Sequence, residues 1–137
     1  MALFSFKRRF VAPILAGTKR QTIRARRKAL GSHGREGGPI TLQTGSRFKP
    51  EPLGRSLCTG VMGITLNLAL GSVDFHPLDG PLAGKACLNV QGQTFLDAFA
   101  VDDGFADWAD LCAFWAENHP GQTLFSGIIT KWGDLIS

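Results

Sequence analysis

The sequence predicts a mixed α+β fold dominated by strands: a small, partly open β-barrel flanked by one short and one long helix. Three observations predict it. Short alternating or glycine-interrupted apolar segments fill most of the chain. A single long stripe at helical spacing, Phe105, Trp108, Leu111, Cys112 and Trp115, stands near the C-terminus. Strands and helices do not alternate as a parallel α/β sheet would require.

The elements follow in order. Leu3 to Phe6 reads as a first strand. Val11 to Gly17 reads as a helix of one or two turns, with Pro13 at its start and Gly17 free to end it in the left-handed conformation. Thr18 to Arg24 is a turn feeding a second strand. Ala25 to Gly38, basic and glycine-rich, reads as a mobile loop, Pro39 to Gly45 as a strand, and Arg47 to Arg55 as a further basic loop holding Pro50 and Pro52. Ser56 to Leu70 suits a long barrel strand bent at glycines. Asp74 to Gly84 is rich in turn residues. Lys85–Val90 and Thr94–Ala98 read as a hairpin about Gln91-Gly92. Asp102 or Asp103 is expected to cap the long helix, which His119-Pro120-Gly121 ends. Leu124 to Trp132 closes the chain as a buried strand.

At 137 residues, with 44% hydrophobic and 19% charged residues, the chain fits one globular domain over 1–137. No apolar run reaches the ~18 residues of a membrane span. No apolar leader with a cleavage site opens the chain, so a cytoplasmic protein is expected. Cys58, Cys87 and Cys112 are widely spaced and surrounded by apolar residues, which suits buried reduced thiols. His33, His76 and His119 are equally scattered. No metal and no cofactor is expected, nor an obligatory protein partner.

Charge is unevenly distributed. Thirteen of the fifteen Lys and Arg precede Ser56, against only Glu36 and Glu51, while the rest of the chain holds nine of the eleven acids. Such a dipolar molecule draws polyanions to its basic side, and a solvated basic surface without a partner is the plain alternative. In an extended chain Arg20, Thr22 and Arg24 would share a face, setting a hydroxyl between two guanidinium groups with Lys19 beside them. A structural strand more usually keeps one face apolar, so this segment is the first that looks like a site.

Pro13 to Arg24 (PILAGTKRQTIR) resembles the G-x-K-x-x-T/E-x-R signature that opens ASCH domains, relatives of the PUA fold. Asp102-Asp103-Gly104-Phe105 with the Trp108 and Trp115 helix resembles the family's second signature, and Phe125 to Trp132 its end. Residues 31–100 match weakly. The spelling is similar to small ASCH proteins of phages and prophages. The resemblance implies a β-barrel with a cleft that binds RNA or a nucleoside. One branch of the family removes the acetyl group of N4-acetylcytidine with a Thr, a Lys and a Glu, an amidohydrolase reaction. Carried over, these match Thr22, Lys19 and Asp103 or Asp102, the acid being one methylene shorter here. Arg20, Arg24, Arg26 and Asp102 would then contact substrate or RNA.

Other readings of these residues stay open. Thr22 can be an ordinary strand threonine, Asp103 a plain helix cap, and Arg24 the partner of a structural ion pair. At the level of function, a non-catalytic RNA-binding module gripping phosphates through Arg24, Arg26, Arg27 and Lys28 is the alternative. A ribonuclease has least behind it, since Asp102-Asp103 is a lone acidic pair with no histidine placed as base.

Overall fold

The computed structural model describes residues 2–46, 48–78, 85 and 88–136, and shows a mixed α+β domain. Seven strands form one sheet: β1 (Ala2–Phe6), β2 (Gln21–Arg24), β3 (Pro39–Ser46), β4 (Lys49–Asn67), β5 (Ser72–His76), β6 (Leu88–Gln91) and β7 (Leu124–Trp132). Three helices accompany them, α1 (Val11–Ala16), α2 (Gln93–Asp102) and α3 (Trp108–Asn118).

The long strand β4 organises the sheet. Its first half pairs antiparallel with β3, which pairs parallel with β1. Its second half pairs with β5 on one side and β7 on the other, and β7 carries β2. Irregularities at Leu42/Gln43 and Cys58/Gly60 bend the strand between these two roles. β1 and β2 are not paired with each other. The expected barrel is therefore an open sheet, with a seam where β1 and β2 face each other.

Alternation assigns the core face of the sheet's second half. Ile64, Leu66, Val73, Phe75 and Ile129 are buried on the face that packs with Leu96 and Phe99 of α2 and Trp108, Leu111 and Trp115 of α3 in one core. Ala2, Phe4 and Phe6 of β1 and Ile40 and Leu42 of β3 extend that core towards α1. Alternating burial along β1 and β3 produces this, since every second side chain turns inward.

Several expectations are corrected. Thr94–Ala98 is not a hairpin strand but part of α2. Leu96, Phe99 and Ala100 are its buried positions, a helical spacing that a short apolar run conceals. Two longer helices thus stand where one was expected. Arg47 lies outside the described residues, and the loop expected over Arg47 to Arg55 is corrected from Lys49 onward, where β4 begins. Pro50 and Pro52 are tolerated there because this half of the strand pairs along β3 and leaves its other edge largely free. Asp74 lies in β5. Ala25 to Gly38 contains a 3₁₀ turn, Leu30–His33, pinned by the buried His33. Its Nε2 accepts from the Arg27 backbone N–H at 3.0 Å, and its carbonyl accepts from the Thr130 hydroxyl at 2.6 Å. Cys58 is buried but Cys112 only half-buried, and Cys87 and residues 79–84 lie outside the described residues. No helix among the described residues is long and apolar enough to cross a membrane.

The long helix is capped neither by Asp102 nor by Asp103, which sit at the end of α2. The cap of α3 is Asp107, whose carboxylate accepts from the Asp110 N–H at 2.9 Å. Replacing Asp107 by Ala should lower stability by about 1 kcal/mol in urea denaturation. The change Asp102→Ala, at an exposed position with no such bond, should stay within about 0.5 kcal/mol.

Candidate functional site

The open seam between β1 and β2 also holds a cavity. Its volume is about 290 Å³, and its lining comes from the ends of β1 and β2, the turn between α2 and α3, and the C-terminal half of α3. Four of the residues singled out from sequence line it together: Lys19, Thr22, Arg24 and Asp103.

Lys19 reaches it from a tight turn. Gly17 takes the left-handed conformation (φ +81°) that ends α1, and the Lys19 N–H donates to Pro13 O at 3.1 Å. The ammonium is then buried, the residue being only 3% exposed. Nζ donates to Gln21 O at 2.8 Å and Asp103 O at 2.6 Å, and sits 4.7 Å from the centroid of the Phe10 ring. Gly104 makes room for its stem. With φ at +95°, a Cβ there would lie 2.7 Å from Lys19 Cδ and 2.9 Å from Phe10 Cδ1, so only glycine fits.

Asp103, 5% exposed, closes the floor of the cavity. Its Oδ1 lies 3.7 Å from Lys19 Nζ, an ion-pair distance but too long for a hydrogen bond. That oxygen is buried without a hydrogen-bond partner. Burial pushes the Asp103 carboxyl up to about 6, against the pull of Lys19. Burial likewise pushes the Lys19 ammonium down to about 8; Asp103 opposes the shift and Arg24 adds to it. Two groups that ordinarily titrate far apart are thus brought to either side of neutrality.

Thr22 and Arg24 share one face of β2. Arg24 Nε donates to Thr22 Oγ1 at 3.2 Å, and Nη2 donates across the seam to Ser5 O of β1 at 2.8 Å. The guanidinium lies 5.1 and 5.0 Å from the ring centroids of Phe4 and Phe6. Burial lowers its pKa to about 10, with Arg27 adding repulsion, and it stays charged at neutral pH. The far wall is aromatic. His119 stacks on Trp115 at 4.6 Å, and Phe125 packs on Trp115 at 4.4 Å.

The remaining site expectations fall elsewhere. Arg20 does not line this cavity. It precedes the first paired residue of β2, and its side chain turns back to Gly17 O at 2.8 Å and to Asp134. Asp102 is exposed, and its carbonyl accepts from the Arg20 N–H at 2.8 Å. Arg26 lines a different cavity. Sequence reasoning missed Phe6, Phe10, Phe105, Phe114 and His119 as cavity walls; no pattern marks them, because strand ends, turns and helices supply them separately. Among the described residues no His, Cys, Asp and Glu cluster could hold a metal ion.

No family model matches the chain, and neither a curated protein nor a solved structure is similar to it. The class of protein is therefore defined by fold and site alone: an α+β domain with an aromatic-walled cleft over a buried lysine–aspartate pair.

The pair's shifted titrations have a sign that stability measurements can read. The folded state holds the Asp103 proton more tightly than the unfolded chain, so this group's contribution falls as pH rises towards and through about 6. Lys19 releases its proton more readily when folded, so its contribution grows as pH rises from about 8 towards 10.5. Denaturation against pH should show both slopes relative to the double variant Lys19→Met/Asp103→Asn, with the pair costing most between about 6 and 8. The single variant Lys19→Met, which strands the carboxylate, should cost about 3–5 kcal/mol at pH 7 and less at pH 5.

Proposed function

We propose that this chain is a nucleoside- or RNA-binding domain of the PUA-like ASCH type whose cleft hydrolyses the acetyl amide of N4-acetylcytidine or a related N4-acylated cytidine. The observation that carries the reading is the Lys19–Asp103 pair. Both groups are almost wholly buried, their pKa values are drawn towards neutrality, and they line one base-sized cavity with Thr22 and Arg24. The resemblance of the two sequence signatures to ASCH domains supports it independently.

The chemistry follows from these groups. Thr22 Oγ, already accepting from Arg24 Nε, attacks the acetyl carbonyl, and the guanidinium stabilises negative charge developing on that oxygen. Lys19 in its neutral form takes the hydroxyl proton, which a pKa of about 8 makes accessible near neutrality. The ammonium so formed returns the proton to the leaving N4 of cytidine, and the acetyl group stays on Thr22 as an ester. Water, deprotonated by Lys19, attacks the ester; the C–Oγ bond breaks, the ammonium returns the proton to Thr22 Oγ, and acetate is released. The unpartnered Asp103 Oδ1 is a free acceptor for an N–H of the base. Its carboxylate also keeps the lysine oriented. The aromatic wall of Trp115, His119 and Phe125 offers a flat, apolar surface to the ring.

A non-catalytic RNA-binding module remains the second reading, favoured by the exposed Arg26, Arg27 and Lys28.

Purified protein incubated with N4-acetylcytidine should release acetate, followed by chromatography. Thr22→Ala and Lys19→Ala should each reduce kcat/KM by roughly 10³-fold or more. kcat/KM should rise with pH and level off above about 8, and Asp103→Asn should flatten the limb near 6. Absence of turnover in the wild type, with RNA still bound at low salt, would replace this reading by the binding module.

A further inference from the structure

A second cavity, about 370 Å³, lies on the face of the sheet away from α2 and α3. Cross-strand pairing and alternation place Gly63, Thr65, Ser126, Ile128 and His76 on that face, opposite the buried Ile64, Leu66, Val73 and Phe75. β1 and β3 pair only along the first half of β4 and do not extend over this region.

His76 is packed closely against β4. A Cβ on Gly63 would meet His76 Cε1 at 2.1 Å and Nδ1 at 2.2 Å, so the imidazole lies flat on the backbone of its cross-strand partner. Gly127 contributes to the lining beside Ser126 and Ile128. Two groups there lack partners. His76 Nδ1 is buried with no hydrogen bond. Arg26 is exposed and forms no ion pair among the described residues. By contrast the Ser126 hydroxyl is fixed, 2.9 Å from Thr65 Oγ1.

The location relative to the first cavity is what gives these features a purpose. Arg24 and Ala25 line the Lys19 cavity and Arg26 lines this one. The end of β2 is thus the wall between them, and a strand crossing that wall would enter both. We propose that the trough of Arg26, His76, Ser126 and Gly127 is a second binding site, for the phosphate and ribose of the nucleotide adjoining the one in the Lys19 cavity. The substrate is then an RNA strand, not a free nucleoside. This inference rests on the nucleoside reading of the first cavity and extends it.

The chemistry fits that class of ligand. A guanidinium without a counter-ion takes a phosphodiester in a forked pair of bonds. An imidazole nitrogen matches a 2′-hydroxyl, which both donates and accepts.

The test is anisotropy titration of a labelled pentaribonucleotide across a salt series, beside acetate release from N4-acetylcytidine. Arg26→Ala should weaken pentamer binding by roughly 10-fold and lower the salt slope by about one, with nucleoside hydrolysis unchanged. His76→Ala should weaken the pentamer without altering the slope. Lys49→Ala, an exposed cation on the β3–β4 hairpin, should change neither. Unchanged affinity in both trough variants, or an equal loss in Lys49→Ala, would overturn the proposal while leaving nucleoside hydrolysis intact. Failure of the amidohydrolase reading itself would appear separately, as no acetate release from the wild type.

Discussion

The contact between Lys19 and the Asp103 turn is the constraint around which the rest of the site is arranged. An ammonium removed from water is costly unless it is compensated, and here two backbone carbonyls accept from it while a carboxylate and an aromatic ring lie close by. This compensation requires two distant stretches of chain to be held together. Arg20 N–H donates to Asp102 O, and Lys19 itself bonds Asp103 O, so the turn after α1 and the turn after α2 are joined through main chain. Gly17 and Gly104 are the two positions where that junction needs positive φ.

The junction explains why the sheet stays open. A closed barrel would pair β1 with β2 and fill the seam with strand hydrogen bonds. Instead one arginine spans it, from Thr22 Oγ1 on β2 to Ser5 O on β1. The gap becomes a cleft with a positive roof and a titratable floor. Because Arg24 stacks on Phe4 and Phe6, both in the apolar core, its position is tied to the packing of β1.

Some cations of the basic N-terminal half are paired and others are not. Arg8 pairs with Glu51, Arg9 with Asp110 and Arg20 with Asp134, all partly or largely exposed contacts of the kind that add little to stability. Arg26, Arg27 and Lys28 form no ion pair among the described residues, and they follow directly on β2 between the two cavities. The 3₁₀ turn fixed by His33 holds this segment against β1 and β7. A run of three cations without ion pairs therefore stands beside the candidate site.

Local pattern by itself determined much of this protein. Alternation over Leu3–Phe6 and Pro39–Gly45, the left-handed end of α1 at Gly17, the bent strand through Gly60 and Gly63, and the stripe from Trp108 to Trp115 all rest on neighbours within a few residues. The Lys19, Thr22 and Arg24 segment stood out for the same reason, since a polar strand face is visible in the residues themselves. What pattern could not supply was decided by contacts distant in sequence. α2 was hidden because a segment as short as Thr94–Ala98 suits strand or helix until a sheet face is there to receive Leu96 and Phe99. Arg20 left the face that alternation assigned to it because Gly17 and Asp134 offered acceptors. Asp103 rather than Asp102 reached the cavity because the end of α2 turns one carboxylate inward and the other to solvent. Whether a carboxylate becomes a floor or a surface charge is a matter of a single backbone rotation, and only the packed chain chooses it.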